Sequence, residues 1–320
     1  MLNPMRDDTT TLASNALLRP VPAWARVKKA PASATDAAFS AGAALGALDA
    51  FVRAYPVFAG VWRQRLALSA AAATARLVGR REDEAGLRDA WCLRKPGDDP
   101  GPSGQILGIW RQQARRTTGW SARTITDAAA ALGIDLEGRA GEVAGQLDAC
   151  ARQEGSALSA IATLTEGVVS RLPQAELLAL LLADLLLAER MRWPVPVPLL
   201  MTQIGHAVLR VGEPRRRPRP GEGDWPATMA TAYALAAAVA LDLAADLERR
   251  VAGLQAVAPK LRAKGAETIV EALLEDDALT PATAPGSMSE RALRRLFNRL
   301  VELGAVRELS GRPTFRLYGL

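Results

Sequence analysis

The C-terminal stretch 288–320, MSERALRRLFNRLVELGAVRELSGRPTFRLYGL, decides our prediction for the end of the chain. Ser289 is a favourable helix N-cap because its side-chain oxygen can accept a hydrogen bond from a first-turn backbone N–H. Apolar residues then recur every three or four positions, which is the spacing of one helix face. Gly304 is expected to end this helix, since glycine readily adopts the left-handed conformation that follows a helix.

A two-stranded hairpin is predicted directly after this helix. The β-prone runs 306–309 and 314–318 flank the turn-forming sequence 310–313. A helix followed by a hairpin is the order of the recognition helix and wing in a winged-helix module. The stretch 280–288 contains Pro281, Pro285 and Gly286, so the helix that normally precedes a recognition helix is expected to be one turn or missing.

The polar face of the predicted helix is rich in arginine, whose planar guanidinium matches guanine edges and phosphates. Residues 289–320 contain seven arginines and three glutamates, a net charge of +4 in a chain whose total is +6. Such a concentration of positive charge favours a nucleic-acid partner. The candidate DNA-binding residues are Arg291, Arg294, Arg295, Asn298 and Arg299 on the helix, and Arg312 and Arg316 on the hairpin.

Two alternatives to DNA binding remain open for this segment. The helix could be an amphipathic surface helix whose arginines are only solvated. The winged helix could also act as a packing module in a protein-interaction or assembly subunit, because the fold does not fix the function.

The remainder of the chain predicts a mainly α protein. Of its 320 residues 49% are hydrophobic but only 5% are aromatic, and alanine is abundant, which favours close-packed helices. We predict a disordered N-terminal arm over 1–34, an all-α helical domain over 35–257, and a winged-helix-like domain over 258–320. Pro259 marks the boundary between the last two.

Helical periodicity and capping signals place the elements of the body. The predicted helices are 35–55, 57–78, 80–94, 105–117, 121–132, 139–152, 156–171, 173–193, 199–209, 226–257 and, in the terminal module, 264–274. The segments 95–104 and 213–224 are predicted loops. The second loop carries Arg215, Arg216, Arg217 and Arg219, which would form either a second phosphate contact or a solvated loop.

Compartment and membrane signals point to the cytoplasm. The N-terminus has no continuous apolar region typical of a signal peptide. The apolar run 175–188 is too short for a membrane span and contains Glu176 and Asp184, so a buried helix is predicted. The two cysteines, Cys92 and Cys150, lack the spacing of a disulfide scaffold and are expected to be reduced.

Catalytic and metal-binding patterns are sparse. The single histidine, His206, argues against most zinc, haem and catalytic-triad sites, so no metal or cofactor is predicted and the histidine is expected to pack on a helix. An enzyme with a carboxylate site on helices is kept as a third alternative. Its candidate residues are Glu82, Asp83, Glu84 and Asp89, and also Glu176 and Asp184, although such groups more often form structural ion pairs.

The chain resembles a bacterial family catalogued as domain of unknown function 1403. The resemblance rests on GAALGALDA at 42–50, LLLADLLLAERMRW at 180–193 and, most specifically, ALRRLFNRLVELGAVRELSGRPTFRLYGL at 292–320. It covers about residues 36–320 and implies a common architecture and an association with plasmids and other mobile DNA. The family has no assigned activity, so the resemblance implies no catalytic residues.

The sequence as a whole therefore predicts a cytoplasmic protein that binds double-stranded DNA and acts as a regulator. The terminal helix would enter a major groove, and the hairpin would meet phosphate or the minor groove. The helical body would form a homodimer or sense a partner, and no membrane contact is expected.

Overall fold

A computed structural model describes residues 18–95, 97–115 and 119–320 of the chain. Within those residues twelve α-helices are followed by a small antiparallel sheet. The helices of the body are α1 Ala34–Ala54, α2 Ala59–Leu77, α3 Glu84–Cys92, α4 Gly101–Gln113, α5 Ala122–Ala131, α6 Ala140–Arg152, α7 Ala157–Arg171, α8 Glu176–Met191, α9 Leu200–Gln203 and α10 Trp225–Val257. The C-terminal elements are α11 Ala266–Glu275, α12 Glu290–Glu302, β1 Arg307–Glu308 and β2 Tyr318–Gly319. The mainly helical fold predicted from composition is confirmed.

Four helices of the body begin directly after a residue whose side chain caps them. The side chains of Ser33, Asp83, Ser121 and Ser156 accept hydrogen bonds from backbone N–H groups in the first turns of α1, α3, α5 and α7. These bonds satisfy donors that have no partner within the helix. Capping residues therefore fix several of the helix starts within one or two residues of the prediction.

The longest helix, α10, forms the centre of the body. It packs along α1 and also contacts α2, α7 and α9. Alanine lines much of its buried surface, so the helix axes can approach closely. Two buried tryptophans tie neighbouring helices together: Trp62 Nε1 donates to the carbonyl of Ala240 at 2.8 Å, and Trp225 Nε1 donates to Thr165 Oγ1 at 2.9 Å. Burial of an indole is favourable when its N–H keeps such a partner.

Several boundaries in the body differ from the prediction, including that of α3, which begins at Glu84 instead of residue 80. Helix α4 begins at Gly101, inside the predicted loop 95–104, because Pro102 lies in a first turn, where its missing N–H is tolerated. The predicted helix 199–209 is wrong: α9 ends at Gln203, and a separate 3₁₀ turn follows at Ala207–Leu209. The intervening His206 is exposed, and its Nδ1 accepts from the backbone N–H of Val208 at 3.2 Å. It therefore caps this turn and does not pack on a helix.

The disordered arm predicted for 1–34 needs correction over the part that the structure describes. Val21 and Ala25 are buried in the core, and Arg26 forms an ion pair with Asp242 of α10 at 2.6 Å. Residues 18–33 therefore pack on the body. Residues 1–17 lie outside the described part of the chain.

The apolar run 175–188 forms most of α8, which is largely buried inside the protein. Two other helical segments, Ala34–Ala54 and Trp225–Lys260, are long and apolar enough to cross a membrane by length and composition. In their most apolar windows, 39% and 72% of the residues, respectively, are buried within the protein. The 72% burial of the segment Trp225–Lys260 is expected of the central helix of a bundle.

The C-terminal segment places three stretches of chain side by side. Strands β1 and β2 pair antiparallel, with Glu308 opposite Tyr318, and Tyr318 also forms an antiparallel bridge with Leu279. The Tyr318 ring stacks on Phe297 of α12 at a centroid distance of 4.5 Å, which joins the sheet to the helix. Each strand has only two residues, so the predicted strands 306–309 and 314–318 were too long.

Candidate nucleic-acid interface

The terminal helix α12 forms as its sequence predicts. The Ser289 hydroxyl accepts from the backbone N–H of Ala292 at 3.3 Å, and Gly304 follows the helix with a φ of +67°. Its apolar residues Leu293, Leu296, Phe297 and Leu300 are all buried. One side of the helix is therefore fixed to the protein, and the opposite side is presented to solvent.

The five candidate residues on α12 are all exposed. Arg294 pairs with Glu290, and Arg299 pairs with Glu302 at 3.2 Å; both pairs lie on the surface. Among the described residues, Arg291 and Arg295 have no hydrogen-bond or ion-pair partner. Each pair within the helix costs little to separate, because exposed ion pairs contribute at most about 1 kcal/mol. The helix can therefore offer four guanidinium groups to an anionic partner.

Asn298 and the hairpin residues are more constrained than the sequence suggested. Asn298 Oδ1 lies 3.5 Å from the Tyr318 hydroxyl, within reach of a weak hydrogen bond. Arg312 forms an ion pair with Asp89 of α3, so this candidate contacts the body. Arg316 is exposed, and its Nε donates to the carbonyl of Arg312 at 3.2 Å. The seven candidates are thus divided between an exposed helix face and a hairpin held partly against α3.

Glu308 stabilises the turn of the hairpin. Its carboxylate accepts from the backbone N–H groups of Ser310 at 2.8 Å and Gly311 at 2.9 Å. Burial opposes ionisation of this group, but hydrogen bonds from Ser310 and Gly311 leave the pKa of Glu308 below its ordinary value. The turn is therefore ordered by one carboxylate, and Phe315 remains exposed beside it.

An ionic network that is buried at its centre joins the C-terminal segment to the body, and sequence reasoning missed it. Asp276 and Asp277 directly follow α11 and face arginines from three helices of the body. We call this network the seam; its members are Asp276, Asp277, Arg65, Arg88, Arg111 and Arg115.

Asp277 is the centre of the seam and is only 2% exposed. Arg88 reaches its two carboxylate oxygens at 2.6 and 3.2 Å, and Arg65 forms a second ion pair with it. Arg65 also donates to the backbone carbonyl of Leu320 at 2.7 Å. Burial lowers the pKa of Arg65, whereas for Arg88 the hydrogen bond and charge of Asp277 outweigh burial and raise the pKa.

Asp276 forms the outer half of the seam. Arg111 and Arg115 each approach its Oδ2 at 2.8 Å. The aspartates lie more than 160 residues from these arginines in sequence, so no local spacing could have identified the pairs. The only sequence signal was a pair of adjacent aspartates at a helix end.

The acidic cluster considered as a possible enzyme site is divided among structural contacts. Glu82 accepts from Ser103 Oγ at 2.5 Å, and Asp83 caps α3 through the N–H of Gly86 at 2.9 Å. Glu84 lies 4.0 Å from Arg88, and Asp89 holds Arg312. These carboxylates do not converge on a common point.

The loop 213–224 was considered as a second phosphate contact, but most of its arginines have carboxylate partners. Arg217 and Arg219 both pair with Glu176, the latter at 2.6 Å, and Arg216 pairs with Glu222 at 2.7 Å. Glu176 therefore fastens the loop to the start of α8 and does not face a ligand pocket.

Among the described carboxyl groups whose pKa is shifted, Asp184 is the most deeply buried. Burial raises its pKa to about 7, although hydrogen bonds from the backbone N–H groups of Leu200 at 3.0 Å and Leu199 at 2.8 Å oppose this shift. Tyr233 lies beside it, and burial raises the pKa of that phenol well above the usual value. Asp184 therefore anchors the start of α9.

Metal and thiol chemistry find little support in the described ranges. In residues 18–95, 97–115 and 119–320, no three His, Cys, Asp or Glu side chains are grouped so that they could hold a metal ion. Cys92 and Cys150 are free thiols. Burial raises the pKa of Cys92 to about 12 and also raises that of Cys150, so neither thiol is readily ionised.

Comparison with known proteins identifies the family. The sequence profile of the family described as "Protein of unknown function (DUF1403)" matches residues 9–320. The chain belongs to this family. The resemblance stated from its sequence segments is therefore confirmed, over nearly the whole chain. No curated protein matches the chain.

Proposed function

We propose that this member of the DUF1403 family is a cytoplasmic, double-stranded-DNA-binding regulator with a C-terminal winged-helix module. Helix α12 acts as the recognition helix in the major groove, and the β1–β2 hairpin acts as the wing. The association of the family with mobile DNA, implied by the resemblance, is compatible with such a regulator.

The order of the C-terminal elements supports the winged-helix assignment. Helix α11 is followed by the extended stretch at Leu279, then by α12, β1 and β2, and Leu279 pairs with Tyr318. In a winged-helix module, a strand before the recognition helix pairs with the last strand of the wing. The three strands then form one small sheet. Residues 280–289 form turns instead of a further helix, as the prolines predict.

One observation carries the DNA-binding proposal: the outer face of α12 is exposed and its positive charge is incompletely neutralised. Arg291 and Arg295 stand one turn apart without partners in the described residues, while every apolar side chain on the inner face is buried. Exposed guanidinium groups on one helix face can contact phosphates and base edges together.

The same proposal includes a homodimer through the helical body. Trp24, in the segment before α1, and Phe39 of α1 have ring centroids 5.6 Å apart and are 67% and 66% exposed. Large exposed aromatic side chains of this kind commonly mark protein contacts. A monomer mass by analytical ultracentrifugation at micromolar concentration would exclude the dimer.

The principal alternative is a protein-interaction or assembly subunit in which the winged helix is a packing module. The seam and the Arg312–Asp89 pair favour it, because both use the C-terminal segment to bind the body of the same chain. This alternative predicts that the exposed face of α12 has no affinity for duplex DNA.

The deciding experiment replaces Arg291 and Arg295 with Ala in the full chain and measures duplex DNA binding by fluorescence anisotropy. Both side chains are exposed, so the circular dichroism and melting temperature should stay near those of the parent. Affinity should fall at least about tenfold, and the slope of log affinity against log salt should become shallower by about one to two units.

A variant with Arg76→Ala and Arg123→Ala is the matched control. Both residues are exposed helical arginines of the body, so the same charge is lost away from α12. The control should bind DNA nearly as tightly as the parent. Equal losses in both variants would mean that only net charge matters, and absence of binding by the parent would favour the assembly alternative.

A further inference from the structure

An apolar cleft lies in the helical body, away from the candidate DNA-binding face. It opens between α4, α5 and α8, is partly open to solvent, and leaves about 40 Å³ for the centre of a water-sized molecule. Its walls are mostly aliphatic or aromatic, and include Ile109, Trp120, Ala128 and Leu181. No charged side chain lines it among the described residues, so it is suited to an uncharged molecule.

One polar atom in the wall has no hydrogen-bond partner in the described part of the chain. Gln113, at the end of α4, lines the cleft and is only 4% exposed. Its Nε2 donates to the carbonyl of Leu181 at 3.2 Å, which fixes the orientation of the amide. Its Oε1 is buried and makes no hydrogen bond to any other residue that the structure describes.

A buried amide oxygen without a donor is costly, on the order of 1–3 kcal/mol, so such atoms normally receive a hydrogen bond. An apolar cleft with a few placed polar groups is the usual composition of a small-molecule site. We infer that this cleft binds a small, uncharged, mainly apolar molecule whose single N–H or O–H donates to Gln113 Oε1. This inference does not depend on DNA binding.

The probes are indole and benzofuran, which have nearly the same size and shape. Indole offers one N–H donor, whereas benzofuran has an oxygen at that position. Isothermal titration calorimetry with the full chain should give saturable, one-site binding of indole. Benzofuran should bind at least about fivefold more weakly, because it leaves Gln113 Oε1 without a donor.

Two variants test the position of the ligand. Gln113→Leu removes the acceptor but keeps an apolar wall, so the preference for indole over benzofuran should disappear while binding remains. Ala128→Phe fills the cleft and should abolish binding of both probes. Circular dichroism establishes whether each variant is folded.

A second measurement keeps the test decisive if Ala128→Phe fails to fold. The chain has seven tryptophans, and Trp120 is the one that lines the cleft. In 5-fluorotryptophan-labelled protein, the resonance assigned through Trp120→Phe should shift on addition of indole more than the other six. No saturable indole binding, an unmoved Trp120 resonance, or equal affinities for both probes in the parent would overturn the proposal.

Discussion

Arginine occupies two contrasting regions of this molecule. On α12, Arg291 and Arg295 are exposed and lack partners among the described residues. In the seam, Arg65 and Arg88 are mostly buried and share the carboxylate of Asp277. The side chain is the same, but the first pair can exchange its hydration for a phosphate, whereas the second already has a fixed counter-ion.

This difference in burial determines whether a change to an arginine affects binding or stability. Exposed ion pairs contribute about 0–1 kcal/mol, so the charges of α12 can be altered with little effect on folding. Removing one partner from a buried pair costs about 3–5 kcal/mol, because the remaining charge stays out of water without compensation. Changes in the seam should therefore alter folding, and changes on α12 should alter only interactions with other molecules.

The largest expected effect follows from replacing Asp277 with Ala. The substitution removes the buried carboxylate that Arg65 and Arg88 share, so the free energy of unfolding should fall by about 3–5 kcal/mol. Urea titration followed by circular dichroism would measure it. Glu302→Ala, which removes the exposed partner of Arg299, is the control and should change stability by less than about 1 kcal/mol. Similar losses in the two variants would remove the distinction between the regions.

A buried carboxyl group without an arginine gives the second test. Burial raises the pKa of Asp184 to about 7, so the folded chain holds a proton there that the unfolded chain has lost above about pH 4. Stability must then fall as the pH rises through this range, by at most about 1.4 kcal/mol per pH unit, and become level above about pH 7.

The comparison with Asp184→Asn isolates this contribution, because the amide does not titrate. The difference in unfolding free energy between the parent and the variant should change steadily from pH 4.5 to 7 and become constant above it. Urea titrations at four pH values would measure the change. A difference independent of pH would mean that Asp184 stays ionised, as an arginine-paired aspartate does.

The sequence was sufficient for elements whose determinants are local. The N-cap Ser289, the apolar spacing and Gly304 all lie within α12, so its bounds were predicted within a residue or so. The weakest boundary was 199–209, where an apolar pattern continued through Gly205 and His206 although the helix did not. Periodicity reports which side chains are buried, but it does not report where backbone hydrogen bonds change from one helix type to another.

The seam could not be predicted because its partners are distant in sequence. Arg88 and Asp277 are 189 residues apart, and Arg312 and Asp89 are 223 apart. Only the tertiary fold, in which α11 packs on α2 beside α3 and α4, selects which of the many arginines become buried. The same packing pairs Arg312 with Asp89, so Arg312 is not an unpaired candidate residue.

The Arg312–Asp89 pair is intermediate between the two regions and gives the smallest expected effect. Their side chains are 48% and 21% exposed, so the pair should contribute no more than about 1 kcal/mol to stability. If the hairpin is a DNA-binding wing, Asp89 competes with phosphate for Arg312. Asp89→Asn should then strengthen duplex DNA binding a few-fold and steepen its salt slope by up to about one unit, because one more arginine can replace counter-ions. Asp127→Asn, which neutralises an exposed aspartate on α5, is the matched control in the same anisotropy titration. Equal affinities and slopes for the two variants would show that Arg312 serves only to hold the hairpin on α3, as the seam holds α11.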